Sequence, residues 1–230
     1  MKTTTLVLLP GLDGTDILFR PFVTALPAWV TALCVQYPAS ETGGYAALMP
    51  LVRNACRGQN DYFLLGWSFS GPLALMFAAE SPSGLRGVVL CASFVCSPWP
   101  VLCWLRFAVV SPVARLFPLF SRALTLGYGS EELDRDKAES WSRVAPATLA
   151  ARSRAALAVD VRRELRRCPA PLLYLGASRD IVVPRWNARL IQKEMPSARV
   201  VIIDGPHLAL RSNPVDAAAA VTTFMMDAHR

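Results

Sequence analysis

Histidine is almost missing from this chain: there are two, His207 and His229. Any chemistry that needs an imidazole near neutral pH must therefore use one of them. Metal-like cysteine spacing is also lacking. Among Cys34, Cys56, Cys91, Cys96, Cys103 and Cys168 the closest pair is C-x4-C, which argues against a zinc site or a redox pair and leaves small buried thiols. No metal or cofactor is expected. The first apolar run, Leu6 to Leu9, is cut by Pro10-Gly11, and the stretch from Trp99 to Val110 contains Pro100 and Arg106. Neither reads as a secretory signal or a transmembrane segment. Internal repeats and low-complexity tracts are missing apart from the alanines at 217–220. The expectation is a protein of the cytoplasm, a reducing compartment.

What is present is apolar. Hydrophobic residues make up 53% of the 230 residues and charged residues 18%, enough for one sizeable core. The net charge of +7 is uneven: Ser97 to Arg167 holds 12 Lys and Arg against 7 Asp and Glu. A basic surface of this kind attracts acidic partners. Nucleic acid is not expected, because no recognition motif accompanies the charge.

Short apolar runs alternate with helix-like segments, the pattern of a parallel sheet covered by helices on both faces. Strands are expected at Thr4–Leu9, Val30–Gln36, Tyr62–Leu65, Gly87–Ala92, Leu172–Leu175 and Arg199–Ile203. Helices are expected at Leu18–Leu26, Tyr45–Cys56, Gly71–Ala79, Trp186–Lys193 and Val215–Met226, with Ser70 and Asn213 as caps. The rhythm breaks between Ser93 and Pro171, where roughly 75 residues replace one crossover. Amphipathic stretches there, Val101–Val110, Val113–Leu124 and Ala147–Arg163, predict a helical insertion. The expected division is a core of residues 1–93 and 171–230 with a cap of residues 94–170.

The strongest chemical signal is Tyr62-Phe63-Leu64-Leu65-Gly66-Trp67-Ser68-Phe69-Ser70-Gly71-Pro72. An apolar strand runs into a tight turn with a serine at its tip, and a helix leaves it. Such a turn lifts the hydroxyl clear of the sheet at the cost of strained backbone angles. Ser68 is the expected nucleophile. For Ser70 the residue two further on would be Pro72, already inside the helix, so Ser70 is read as a small elbow residue whose hydroxyl caps that helix.

A serine needs a base. His207 follows the last predicted strand, whereas His229 is penultimate. The base needs an acid, and Asp180 follows the strand before; Asp204, two residues before His207, is the rival. The chain order Ser68, Asp180, His207 is that of one hydrolase class. Two backbone donors for an oxyanion are expected from Phe69, after the nucleophile, and Leu12, in the loop Pro10-Gly11-Leu12-Asp13-Gly14. With no Lys-Ser/Thr after its glycines, that loop does not read as a phosphate-binding P-loop.

Together these residues resemble the α/β-hydrolase superfamily, and the elbow Gly66-Trp67-Ser68, with Leu173 through Arg185, is similar to that of pimeloyl-ACP methyl ester carboxylesterases. The chain departs from many relatives in having Pro10 where they carry histidine and Ser70 where they carry glycine. The resemblance implies a serine hydrolase acting on carboxylic esters through an acyl-enzyme, with an acyl pocket drawn from Trp99, Leu102, Trp104, Phe107, Leu116 and Phe120. It also implies docking of an acidic acyl carrier protein on Arg143, Arg152, Arg154, Arg162, Arg163, Arg166 and Arg167. Acyl thioester hydrolysis uses the same groups and stays open. So do carbon–carbon bond hydrolysis, lyase and perhydrolase chemistry, and a non-catalytic ligand-binding role. Epoxide hydrolase and dehalogenase chemistry is disfavoured, since those relatives carry an aspartate at the position of Ser68.

Overall fold

The computed structural model describes residues 3–114, 125 and 129–229. Six strands, β1 (Thr4–Leu9), β2 (Val30–Cys34), β3 (Tyr62–Trp67), β4 (Leu85–Cys91), β5 (Leu172–Ala177) and β6 (Arg199–Ile203), form one sheet in the order β2-β1-β3-β4-β5-β6. Every pairing is parallel. Successive side chains of a strand point to opposite faces, and here both faces are covered. Val7, Leu64, Leu90 and Tyr174 pack under helices α2 (Gly44–Cys56), α3 (Gly71–Ala78) and α8 (Trp186–Glu194). Leu8, Leu65, Val89 and Leu175 pack under α1 (Arg20–Ala25) and α9 (Pro214–Ala228). The strands therefore read as unbroken apolar runs.

The strand order reverses between β1 and β3, which lie side by side with Leu9 opposite Gly66. Loops leaving the carboxyl ends of such neighbours diverge and open a crevice. Here those loops are the Gly11 loop and the serine turn. At the other side of the sheet Ala177 lies opposite Ile203, which brings the loops carrying Asp180 and His207 together.

The connection between β4 and β5 departs from the expected pattern. Residues Pro100–Phe107 form a 3-10 helix in place of an amphipathic α-helix, followed by α4 (Ser111–Ala114). The stretch Val113–Leu124 otherwise lies outside the described residues, apart from its two first positions. The single helix expected at Ala147–Arg163 is broken into α6 (Pro146–Ala158) and α7 (Arg162–Arg167). Between them the backbone leaves the helix to pair with the segment after β4, with Asp160 bridging Cys96 and the Val161 N–H donating to the Val95 carbonyl at 2.7 Å.

The helix α5 (Glu131–Ser142) has no counterpart in the sequence reading. Its start is capped by Ser130, whose Oγ accepts the Leu133 N–H at 3.1 Å, and its first turn carries Glu131, Glu132 and Asp134. Neither expected cap side chain caps its helix. Ser70 turns its hydroxyl elsewhere, and Asn213 donates to the Asp204 carbonyl at 3.0 Å and to Asp216 at 2.8 Å.

Candidate active site

Ser68 sits at the carboxyl end of β3 with φ 51°, in the left-handed region that a non-glycine residue occupies at a cost. Close packing around it holds that conformation. A Cβ on Gly66 would lie 2.5 Å from the Ser70 carbonyl oxygen, so strand and helix meet only because glycine stands there. Ser93, fully buried after β4, donates its hydroxyl to the Ser68 carbonyl at 2.6 Å. Sequence reasoning missed Ser93, which has no local signature; it is placed by the β3–β4 pairing alone.

The Ser68 Oγ is 2.8 Å from His207 Nε2, and His207 Nδ1 is 2.8 Å from Asp180 Oδ2. The other oxygen of Asp180 accepts the N–H groups of Val182 and Val183 at 2.8 and 2.9 Å, which fixes the carboxyl plane and turns Oδ2 to the imidazole. A carboxylate only accepts, so Nδ1 donates to it and Nε2 is left to accept from the serine. The side chains of Asp180 and His207 are 3% and 10% exposed, so the acid and base are largely shielded, with access from the side of Ser68.

The rivals are placed elsewhere. Asp204 is exposed and faces Ser178 and Arg179. His229 lies at the opposite, amino ends of the strands β1 and β3, against Phe63 and near Thr4. Ser70 is fully buried. It donates to the Pro10 carbonyl, so the hydrogen bond with Tyr37 at 2.7 Å must use the Tyr37 hydroxyl as donor. The helix cap expected of Ser70 is thus a strut between the serine turn and the Gly11 loop. Ser70→Ala strands a buried hydroxyl and a buried carbonyl, and urea unfolding should show a loss of about 1–3 kcal/mol.

Leu12 and Phe69, whose amides the sequence nominates as oxyanion donors, both lie close to the serine. Leu12 lines the cavity beside Ser68. Phe69 turns its ring away to stack on Tyr45 at 4.6 Å, while its amide, at the start of the turn Ser68–Ser70, is among the N–H groups a helical start leaves without internal partners.

A cavity of about 110 Å³ opens onto Ser68 and His207. Its walls come from Leu12, Leu18, Trp67, Val182 and Leu208 of the core, and from Lys137, Ser140 and Trp141 of α5. Trp99, Trp104 and Phe107 do not line it. Trp104 and Phe107 are 62% and 75% exposed, and Trp99 is tied by its indole N–H to the Val182 carbonyl at 2.9 Å. Trp104 and Phe107 lie on the 3-10 helix that replaces the expected amphipathic helix, and both face outward there. Leu116, Phe120 and the side chain of Leu102 lie outside the described residues. Lys137 is buried and paired with Asp134 at 2.7 Å. The charge density of α5 hid it from sequence reasoning, although Lys137, Ser140 and Trp141 are spaced to share one helical face.

The arginines of the insertion divide. Arg143 pairs with Glu139, Arg162 with Asp160 and Arg166 with Glu194, all on the exterior. Arg154 is exposed and donates to the Val109 carbonyl at 2.7 Å, and Arg163 and Arg167 are exposed. Arg152 is 1% exposed, the largest of the fully buried side chains described. It offers no surface to a partner, because the register of α6 turns it toward the sheet.

Residues 6–221 match the profile described as the alpha/beta hydrolase family. Pimeloyl-[acyl-carrier protein] methyl ester esterase of Nitrosomonas europaea is 29% identical over 161 residues, 64% of this chain and 63% of the relative. The enzyme of the same name from Yersinia enterocolitica is 28% identical over 174 residues, 70% of this chain and 67% of the relative. The chain thus spans just under two thirds of the length of the Nitrosomonas relative it matches. Among solved structures, a bromoperoxidase from Bacillus anthracis superposes with TM-score 0.83 at 15% identity, over 98% of this chain and 92% of that one. MenH from S. aureus does so with TM-score 0.81 at 14% identity, over 100% and 96%. At these identities the structural likeness speaks to the fold.

Proposed function

Because the chain belongs to the alpha/beta hydrolase family, we propose that it is a serine carboxylesterase whose triad is Ser68, His207 and Asp180. The observation that carries this reading is the unbroken line of two 2.8 Å hydrogen bonds from the Ser68 hydroxyl through His207 to Asp180. His207 Nε2 takes the Ser68 proton as Oγ attacks the ester carbonyl. The tetrahedral oxyanion is met by the amides of Leu12 and Phe69. Collapse expels the alcohol, which takes the proton from His207 and leaves an acyl-Ser68. A water activated by the same nitrogen then releases the acid.

The small apolar cavity beside Ser68 suits the uncharged part of an ester next to its scissile carbonyl. The curated relatives are named for an acyl-carrier methyl ester, and such a carrier-bound ester is the proposed substrate class. Residues 94–170 act in this reading as a lid over the core of 1–93 and 171–230. Arg154, Arg163 and Arg167, exposed on it, are the proposed contacts for the acidic carrier, with Arg143, Arg162 and Arg166 in a supporting, ion-paired role. The proposed location is the cytoplasm, on the cysteine pattern of the sequence.

The test joins labelling with a substrate panel. A fluorophosphonate is expected to modify the peptide containing Ser68, and oxygen esters to turn over faster than matched thioesters. Faster thioester turnover would make the protein a thioesterase, and no labelling with no turnover would make it a binding protein. Reversing Arg163 and Arg167 to Glu should raise KM for a carrier-bound methyl ester about tenfold more than KM for a p-nitrophenyl ester, an excess that fades with salt. Equal effects on both substrates would remove the carrier from the proposal.

A further inference from the structure

A buried arginine whose guanidinium lies behind the oxyanion loop calls for an explanation, because removing that charge from water is costly unless its donors are used. Arg152 reaches from α6 across to the core. Its Nη1 donates to the Leu12 carbonyl at 2.8 Å and its Nη2 to the Pro38 carbonyl at 3.0 Å, while its guanidinium carbon lies 5.4 Å from the centre of the Tyr37 ring. No carboxylate forms an ion pair with it among the described residues. The nearby Asp13 is itself buried, its carboxyl pushed above the usual range by desolvation and held by Thr15. Both Nη groups of Arg152 are thus spent on backbone and not on another side chain, while its buried Nε meets no hydrogen-bond acceptor among the described residues.

Which backbone they hold is informative. Three consecutive carbonyls of the loop after β1 are each bound by a different donor. Pro10 accepts from the Ser70 hydroxyl, Gly11 from the Gly14 N–H at 3.1 Å, and Leu12 from Arg152. The peptide between Gly11 and Leu12 carries the N–H offered to the oxyanion. A peptide turns its N–H by turning its carbonyl the opposite way, and the carbonyls on, before and after this peptide are all tied. The Gly14 carbonyl in turn accepts the Tyr37 N–H at 2.9 Å, and a Cβ on Gly14 would fall 2.5 Å from Arg152 Nη1. Loop, Tyr37 and guanidinium therefore pack as one unit, of which only Arg152 comes from the insertion.

We propose that Arg152 is a positioning residue for the oxyanion hole, through which α6 of the insertion fixes the direction of the Leu12 amide. The proposal rests on the esterase reading for its catalytic consequence, though not for its structural one. It makes the insertion part of the catalytic apparatus, since displacing α6 would release the loop that receives the developing charge.

Arg152→Met removes both donors, and Arg152→Lys keeps the charge and one donor. Losing one oxyanion donor outright costs about 100- to 1000-fold in kcat; loosening it through Arg152 should cost about 10- to 100-fold in the Met variant and less in the Lys variant. KM should stay within about threefold. Affinity for a trifluoromethyl ketone, which forms the oxyanion as a stable adduct, should fall in parallel with kcat/KM, and added guanidinium should restore part of kcat in the Met variant. Hydrogen exchange of the Gly14 amide should accelerate whether or not any ester is turned over, which separates failure of this proposal from failure of the esterase reading. Wild-type kcat, ketone affinity and Gly14 exchange in a folded Met variant would overturn it. Should the Met variant not fold, the same three wild-type values in the Lys variant would do so.

Discussion

Ser68→Ala is expected to lower the turnover of a p-nitrophenyl ester about a million-fold in kcat, the scale seen when a triad nucleophile is deleted. Oγ is the only atom removed. The Ser68 carbonyl keeps its bond from Ser93 and Gly66 still lets the helix approach. The left-handed φ of 51° is as strained for alanine as for serine, so thermal unfolding should be nearly unchanged. That separation matters, because a loss of activity with a loss of fold would say nothing about chemistry. Ser70→Ala should instead lose stability while Ser68 still takes the fluorophosphonate label. A Ser68→Ala protein within tenfold of wild type would refute the proposed nucleophile.

Asp180→Asn should cost about 10,000-fold in kcat while leaving the backbone in place. The reason lies in how the carboxyl is held. Its Oδ1 accepts two amides, from Val182 and Val183, and an asparagine can satisfy them only by placing its oxygen there. Its NH2 then faces His207 Nδ1, which must accept and give up its proton to Nε2. An Nε2–H cannot accept from Ser68, so the base is lost through its tautomer and not through its position. The loss should appear in kcat with KM little changed, and a structure should show the ring undisplaced. Activity within about tenfold of wild type would mean that Asp180 only shapes its turn.

How much of this was legible beforehand depended on how local each cause was. Thr4–Leu9 and Arg199–Ile203 end where the sequence reading ends them, because Pro10-Gly11 stops the first and Asp204-Gly205 the second. The other strands run a residue or two longer or shorter, where no such breaker stands. Helix α5 escaped notice because its charges read as a solvated face. Lys137 is buried only because this helix packs over the serine, with Arg211 of the core bonded to its Asp136 at 2.7 Å. Trp99, Trp104 and Phe107 were expected at a pocket wall from the resemblance, but Trp99 is tied to the Val182 carbonyl and the other two face outward from a 3-10 helix.

The linear order of apolar runs and breakers was enough to specify a parallel sheet, its loops and the serine, aspartate and histidine at their tips, because each depends on neighbours in the chain. The choice of Ser68 over Ser70 was already legible in Pro72, but where the second hydroxyl goes and which of seven arginines is buried were decided only by tertiary packing. Ser68 and Ser70 are chemically alike, as are Arg152 and Arg154. A left-handed turn points one hydroxyl at His207 and buries the other against Tyr37 and Pro10. On α6, Thr148, Arg152 and Ala156 recur at the spacing of one helical face and go inward together, while Arg154 goes out. Burial is a property of what lies across the fold, and the chain does not carry it residue by residue.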